Sequence, residues 1–139
     1  MRDDSRAWAE EYYEAGLSPI PLADGTKKPP AGFLWTRFYE KPETKSDIEK
    51  LFSGRENVGL LGGSVSRNLA VLDIDSREKW AQLDSVPAFR WLKANEPVCR
   101  TRRGFHVYLQ APYPVAKGRA PQWSADIIGE RSYAVAPPS

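Results

Sequence analysis

Hydrophobic residues recur along the chain with two periods, and the switches between them predict its elements. DDSRAWAEEYYEAG predicts a first helix that Asp3, Asp4 or Ser5 caps, with Trp8, Tyr12 and Ala15 on one face and Gly16 at its end. LSPIPL follows as a short extended segment whose prolines favour a sheet edge. The Pro/Gly-rich stretch Gly25–Thr44 is then expected as a long loop, a length usually tied to function or mobility. SDIEKLF carries a capping-box pair, Ser46 with Glu49, and opens a second helix with Ile48, Leu51 and Phe52 inward.

NVGLLGG and NLAVLDID read as two strands, expected to pair as a hairpin across SVSR. Ser76 caps a third helix through Trp80 and Leu83. Pro87 opens a fourth that turns Phe89, Trp91 and Leu92 to the core and closes near Asn95. FHVYLQ alternates as a strand, and ADIIGERSYAVA predicts a last hairpin turning at Gly129-Glu130. The order α, β, loop, α, β, β, α, α, β, β, β specifies an α+β domain: a mixed, largely antiparallel sheet with packed helices.

Composition narrows the chemistry more than the fold. A chain of 139 residues, 41% hydrophobic and rich in aromatics, holds one domain with a core and too little chain for two. No apolar run reaches a membrane span and the polar, acidic N-terminus is no signal peptide, so a soluble, cytoplasmic protein without a membrane partner is expected. One cysteine, Cys99, excludes an internal disulfide and a multi-cysteine zinc site, and one histidine, His106, excludes paired-histidine metal motifs. Any metal must therefore be held mainly by oxygen, which points to Mg²⁺ or Mn²⁺. The net charge of +2 is mild, but GTKKPP and RTRRGFH concentrate cations in two short places.

In LAVLDID the alternation puts Leu69, Val71, Asp73 and Asp75 on one face and Ala70, Leu72 and Ile74 on the other. Two carboxylates on one side of a strand end repel each other, and a divalent cation would offset that cost. The plain alternative is an exposed strand end that caps the next helix. His106 projects with Tyr108, opposite Phe105, Val107 and Leu109. Arg102 and Arg103 precede it, and Gly104 lets backbone approach an incoming group. Asp126 is the acidic residue of an otherwise apolar strand, a third carboxylate for an oxygen-rich site.

VLDID, TRRGFHVYL and ADIIGERSYAVAPPS, in that order, resemble the bifunctional primase–polymerase domain of the archaeo-eukaryotic primase superfamily. GLSPIPLADGTKKPP with Trp35 is similar to that family's opening segment, and NVGLLGG to its glycine-bearing strand, so the likeness runs from about Ala9 to Ser139. It implies an RRM-like catalytic core and template-directed nucleotidyl transfer, in replication of a plasmid or phage-type element. Asp73, Asp75 and Asp126 would be the catalytic metal ligands. His106, with Arg103, would contact the triphosphate, and Lys28, Asn57 and Ser139 would line the nucleotide pocket. The implied partners are dNTP or NTP substrates, a single-stranded DNA template with primer, and a helicase domain or protein.

The chain departs from that pattern where Arg103 stands in place of a second glycine, and it lacks the zinc-binding cysteines of some relatives. It stops at APPS, where relatives continue, and so reads as a fragment or a minimal form. Two rival functions stay open on the residues alone, and a third is weak. The same carboxylates could serve a nuclease by activating water, or a module that binds nucleotides or single strands without turnover. A dinucleotide site at GLLGGSVS has the wrong glycine spacing, and a strand follows where a helix is needed.

Overall fold

Local signals start most helices where the sequence places them. The structure, a computed structural model, describes residues 4–139. The Asp4 carboxylate accepts from Arg6 N and opens α1 (Ser5–Glu14), and Ser76 Oγ accepts from Lys79 N to open α3 (Arg77–Gln82). Asp3, the other acidic cap candidate, lies outside the described residues. Pro87 stands at the first turn of α4 (Pro87–Asn95).

The second helix, α2 (Lys45–Leu51), differs. Its capping box is Thr44 with Asp47, not Ser46 with Glu49: Asp47 N donates to Thr44 Oγ1 and Thr44 N donates back to Asp47 Oδ2. Both pairs satisfy the same spacing rule, so packing chooses between them. The earlier start brings Ile48 and Phe52 against Ala9 of α1 and Val58. On α1 the core side is Ser5, Ala9 and the half-buried Tyr12, while Ala15 is exposed; on α4, Trp91 is exposed instead of buried.

Among the described residues eight strands form two sheets in place of one mixed sheet, and every named strand pair is antiparallel. The first has the order β1 (Pro19–Leu22), β2 (Asn57–Leu61), β8 (Tyr133–Ala136). The second has the order β4 (Val98–Arg100), β5 (Phe105–Gln110), β3 (Leu69–Ile74), β7 (Ala125–Ile128), β6 (Gly118–Ala120). LSPIPL is indeed an edge strand. Neither expected hairpin forms as paired strands; of the first only a single antiparallel bridge, Gly63 with Leu69, is made. β2 has both flanks filled by β1 and β8, and β3 has both filled by β5 and β7. The chain leaves one sheet for the other at Gly63, whose φ of +84° few side chains tolerate, through a 3-10 turn at Ser64–Ser66. It returns after Ile128, so ADII and YAVA also belong to different sheets.

The two sheets press together through Leu60, Ala134 and Ala136 on one side and Leu69, Val71, Tyr108 and Ile128 on the other. Full burial of a side chain such as Val71 contributes ~2 kcal/mol. The opposite face of the five-stranded sheet carries α3 and α4, with Ile74, Leu83 and Ala125 in the core and Trp80 stacked on Phe105 at 4.4 Å. The Gly25–Thr44 segment contains a 3-10 helix, Trp35–Tyr39, that lays Phe38 on Ile20, Leu22 and Leu61. Phe38 is thus core, and Trp35 packs edge-on against Tyr133 at 5.2 Å. At its end Glu43 is buried: Ser18 Oγ donates to its Oε1 at 2.6 Å, while Oε2 has no hydrogen-bond partner among the described residues. Among the described residues no helix is long and apolar enough to cross a membrane.

Candidate active site

Strand register assembles the site. In the five-stranded sheet Cys99 lies opposite His106, His106 opposite Asp73, Asp73 opposite Asp126, and Asp126 opposite Arg119. Directly opposed residues point to the same face, so these five side chains form one row across all five strands. The preceding row on that face is Tyr108, Val71 and Ile128, which is covered by the three-stranded sheet. The polar row therefore begins one dipeptide step beyond the place where the sheets meet. Asp75 continues the face one step farther, just past β3, where its N–H donates to Ser124 O at 3.2 Å.

His106 is the buried member, 7% exposed, with Nε2 at 3.4 Å from Asp73 Oδ1. Tyr108 stands edge-on beside it, ring centroids 6.1 Å apart, and donates its hydroxyl to Val135 O on β8 at 3.2 Å. Tyr12 of α1 donates likewise to Pro137 O at 2.8 Å. Burial pushes both phenols well above the usual tyrosine range, and the nearby Cys99 adds to it, so both are neutral hydrogen-bond donors in this wall. Asp126 is half-exposed and accepts from Arg119 Nη1 at 2.7 Å. That bond and the Asp126 charge raise the Arg119 pKa, with further contributions from Asp75 and Asp73, so one guanidinium sits in the field of all three carboxylates.

Arg102 and Arg103 form the exposed tip of the β4–β5 hairpin. Thr101 closes the turn: its N–H donates to Gly104 O at 2.8 Å and its Oγ1 accepts from Gly104 N at 3.0 Å. Gly104 serves a different purpose from the one expected. A Cβ there would collide with the Ile74 carbonyl oxygen, between Asp73 and Asp75, so the missing side chain admits protein backbone and not a ligand.

Lys28, Asn57 and Ser139 lie at one end of the other sheet. Asn57 Nδ2 donates to Thr26 O at 2.8 Å, Lys28 N donates to Thr26 Oγ1 at 3.2 Å, and Val58 N donates to Ser139 Oγ at 2.8 Å. Lys28 is exposed, and it contributes its backbone N–H to this network. Tyr12, bonded to Pro137 near this end, packs against the same apolar cluster as Tyr108 beside the row. A shallow surface hollow on α1, lined by Glu10, Glu11, Glu14 and Lys45, includes none of the candidate residues.

A sequence reading alone missed two members of the row. Arg119 sits on a three-residue strand with no periodicity to announce it, and Cys99 on another. Only register connects them to the aspartates.

With this geometry established, comparison with known families is informative. The family described as bifunctional DNA primase/polymerase, N-terminal, matches residues 9–139. The chain belongs to that family. Membership places this primase/polymerase domain in a nucleotidyltransferase class of function. Comparison with the curated proteins gives no match.

For a divalent cation the donor chemistry is apt: three carboxylates on one sheet face are hard oxygen ligands of the kind Mg²⁺ and Mn²⁺ take. Their present arrangement is not yet a cage. Among the described residues no three His, Cys, Asp or Glu side chains are gathered closely enough to hold a metal, and Asp126 is engaged by Arg119.

Proposed function

We propose that the domain performs metal-dependent, template-directed nucleotidyl transfer on DNA. The observation that carries this reading is the row His106–Asp73–Asp126, drawn from three strands onto one face at the edge of the inter-sheet contact. Asp73, Asp75 and Asp126 would hold Mg²⁺ or Mn²⁺. When bound, such an ion lowers the pKa of an attacking 3′-hydroxyl and neutralises charge on the transferring phosphoryl group.

The residues of the chain supply the rest. His106, kept beside Asp73 by its burial, and Arg103 at the hairpin tip would hold the triphosphate in line for attack. Arginine suits this role because its fork binds phosphate oxygens in pairs. Lys27 and Lys28 would steer the triphosphate or the template strand, a contribution that weakens with salt. Asn57 and Ser139 tie the sheet end beside which Lys28 lies. The aromatic residues of the Gly25–Thr44 segment are mostly spent on packing, which removes Phe38 as a base-stacking platform.

The test is synthesis from labelled dNTP on a single-stranded template, primed and unprimed, with Mg²⁺ and Mn²⁺ compared. Template-dependent extension that Asp73→Ala abolishes supports the reading; degradation of the primer without synthesis identifies a nuclease instead. The Asp126–Arg119 ion pair favours one second reading, a module that binds nucleotide or single strands without turnover. Nucleotide binding with neither synthesis nor cleavage would establish it.

A further inference from the structure

Arg119 is the charged member of the row that the chemistry above leaves without a task. It lies on β6, a three-residue strand at the sheet's outer edge, and among the described residues Asp126 is its side chain's only hydrogen-bond partner. Both side chains are about half exposed, 49% and 46%. Opposite Asp126 stands Asp73, and Asp75 follows on the same face, so like charges gather and call for a counter-charge. The guanidinium supplies it.

We infer that Arg119 is the resident counter-cation of the carboxylate row, and that a divalent cation enters the site by displacing it from Asp126. This rests on the reading of Asp73, Asp75 and Asp126 as cation ligands. Three features make the exchange feasible. An exposed ion pair is weak, so it yields to a better ligand. A guanidinium offers only donors along one edge, whereas a divalent ion accepts from several carboxylates at once. The long arginine side chain on a short edge strand has room to swing away without disturbing the core. Arg119 thus sets the affinity of the site: it protects the fold from carboxylate repulsion in the free protein and makes the cation compete for its place.

The measurement is Mn²⁺ binding to the full chain without nucleotide, by titration calorimetry and by loss of the free-ion electron paramagnetic resonance signal. Arg119→Ala should bind Mn²⁺ about threefold more tightly than the unaltered protein, the effect of removing one weak competing ion pair at the site. Arg119→Lys, which keeps the charge, should stay close to the unaltered protein, a distinction that a merely structural role would not produce. Arg119→Gln serves as the second neutral variant should Arg119→Ala fail to fold. Unchanged or weaker binding in a folded neutral variant overturns the displacement. If Asp126→Ala abolishes binding while the neutral Arg119 variants leave it unchanged, only this inference falls. If the unaltered protein binds no Mn²⁺, the cation reading falls, and the inference with it.

Discussion

The two sheets use their polar groups in opposite ways. In and around the three-stranded sheet they are turned on the protein's own backbone: Asn57 on Thr26, Ser139 on Val58, Tyr133 on Lys27 and, from the 3-10 helix, Tyr39 on Gly62. In the five-stranded sheet the row is joined side chain to side chain, His106 to Asp73 and Asp126 to Arg119, with charge left partly exposed. A backbone partner fixes a side chain and uses up its capacity; a charged side-chain partner can be exchanged. On the proposed reading, this difference suits one sheet to scaffolding and the other to chemistry. The contact between the sheets is built mainly on apolar residues such as Leu60 and Val71, with the Tyr108 hydroxyl on Val135 O at its edge, and the polar row lies at its margin.

The largest expected effect tests the chemical sheet directly. Asp73→Asn should reduce template-directed synthesis by about 10³-fold, roughly 4 kcal/mol of transition-state stabilisation, while the melting temperature stays level or rises. Primer extension and a thermal melt read the two halves. A variant that unfolds would make Asp73 a structural residue and erase the contrast.

Gly104→Ala should destabilise by about 3 kcal/mol, because the new methyl group meets the Ile74 carbonyl, which belongs to a paired strand and cannot yield cheaply. Urea denaturation measures it. A near-neutral result would show that the β4–β5 hairpin can shift, and with it His106.

The scaffold side has a pH signature. Burial pushes Glu43 from its ordinary 4.5 up to about 8, with the Ser18 hydrogen bond pulling the other way and the charge of Asp47 adding to the rise. The folded protein therefore keeps this proton where the unfolded chain releases it. The resulting stabilisation is fully present below about pH 4.5 and is lost as pH rises through about 8. Between about pH 6 and 8 stability should fall by about 2 kcal/mol, and Glu43→Gln should flatten that slope. Denaturant titrations across the range give the comparison; an unchanged slope in Glu43→Gln would remove Glu43 as its source.

The smallest effect sharpens the division. Asn57→Ala should cost about 1 kcal/mol of stability, the worth of one hydrogen bond, and change turnover only a few-fold. A turnover loss comparable to that of Asp73→Asn would move Asn57 into the catalytic machinery.

Much of the site was legible because strand alternation is a local rule. It put Asp73 with Asp75 and His106 with Tyr108 before any pairing was known, and the caps at Asp4 and Ser76 follow equally local rules. What failed were statements about partners. NVGLLGG and NLAVLDID are adjacent in sequence yet lie in different sheets, and so do ADII and YAVA. A short loop makes a hairpin cheap to form, but here each strand buries more by filling a gap between two distant strands.

By itself, then, the sequence determined which side chains each strand presents together, because the backbone repeats every two residues whatever surrounds it. Only the tertiary structure decided that Asp126 faces Asp73 and that Arg119 faces Asp126, because register between distant strands is set by packing across the whole sheet. Gly104 shows the same limit in a single residue: its identity was plain, but what crosses above it is the backbone of a strand thirty residues earlier in the chain, at Ile74.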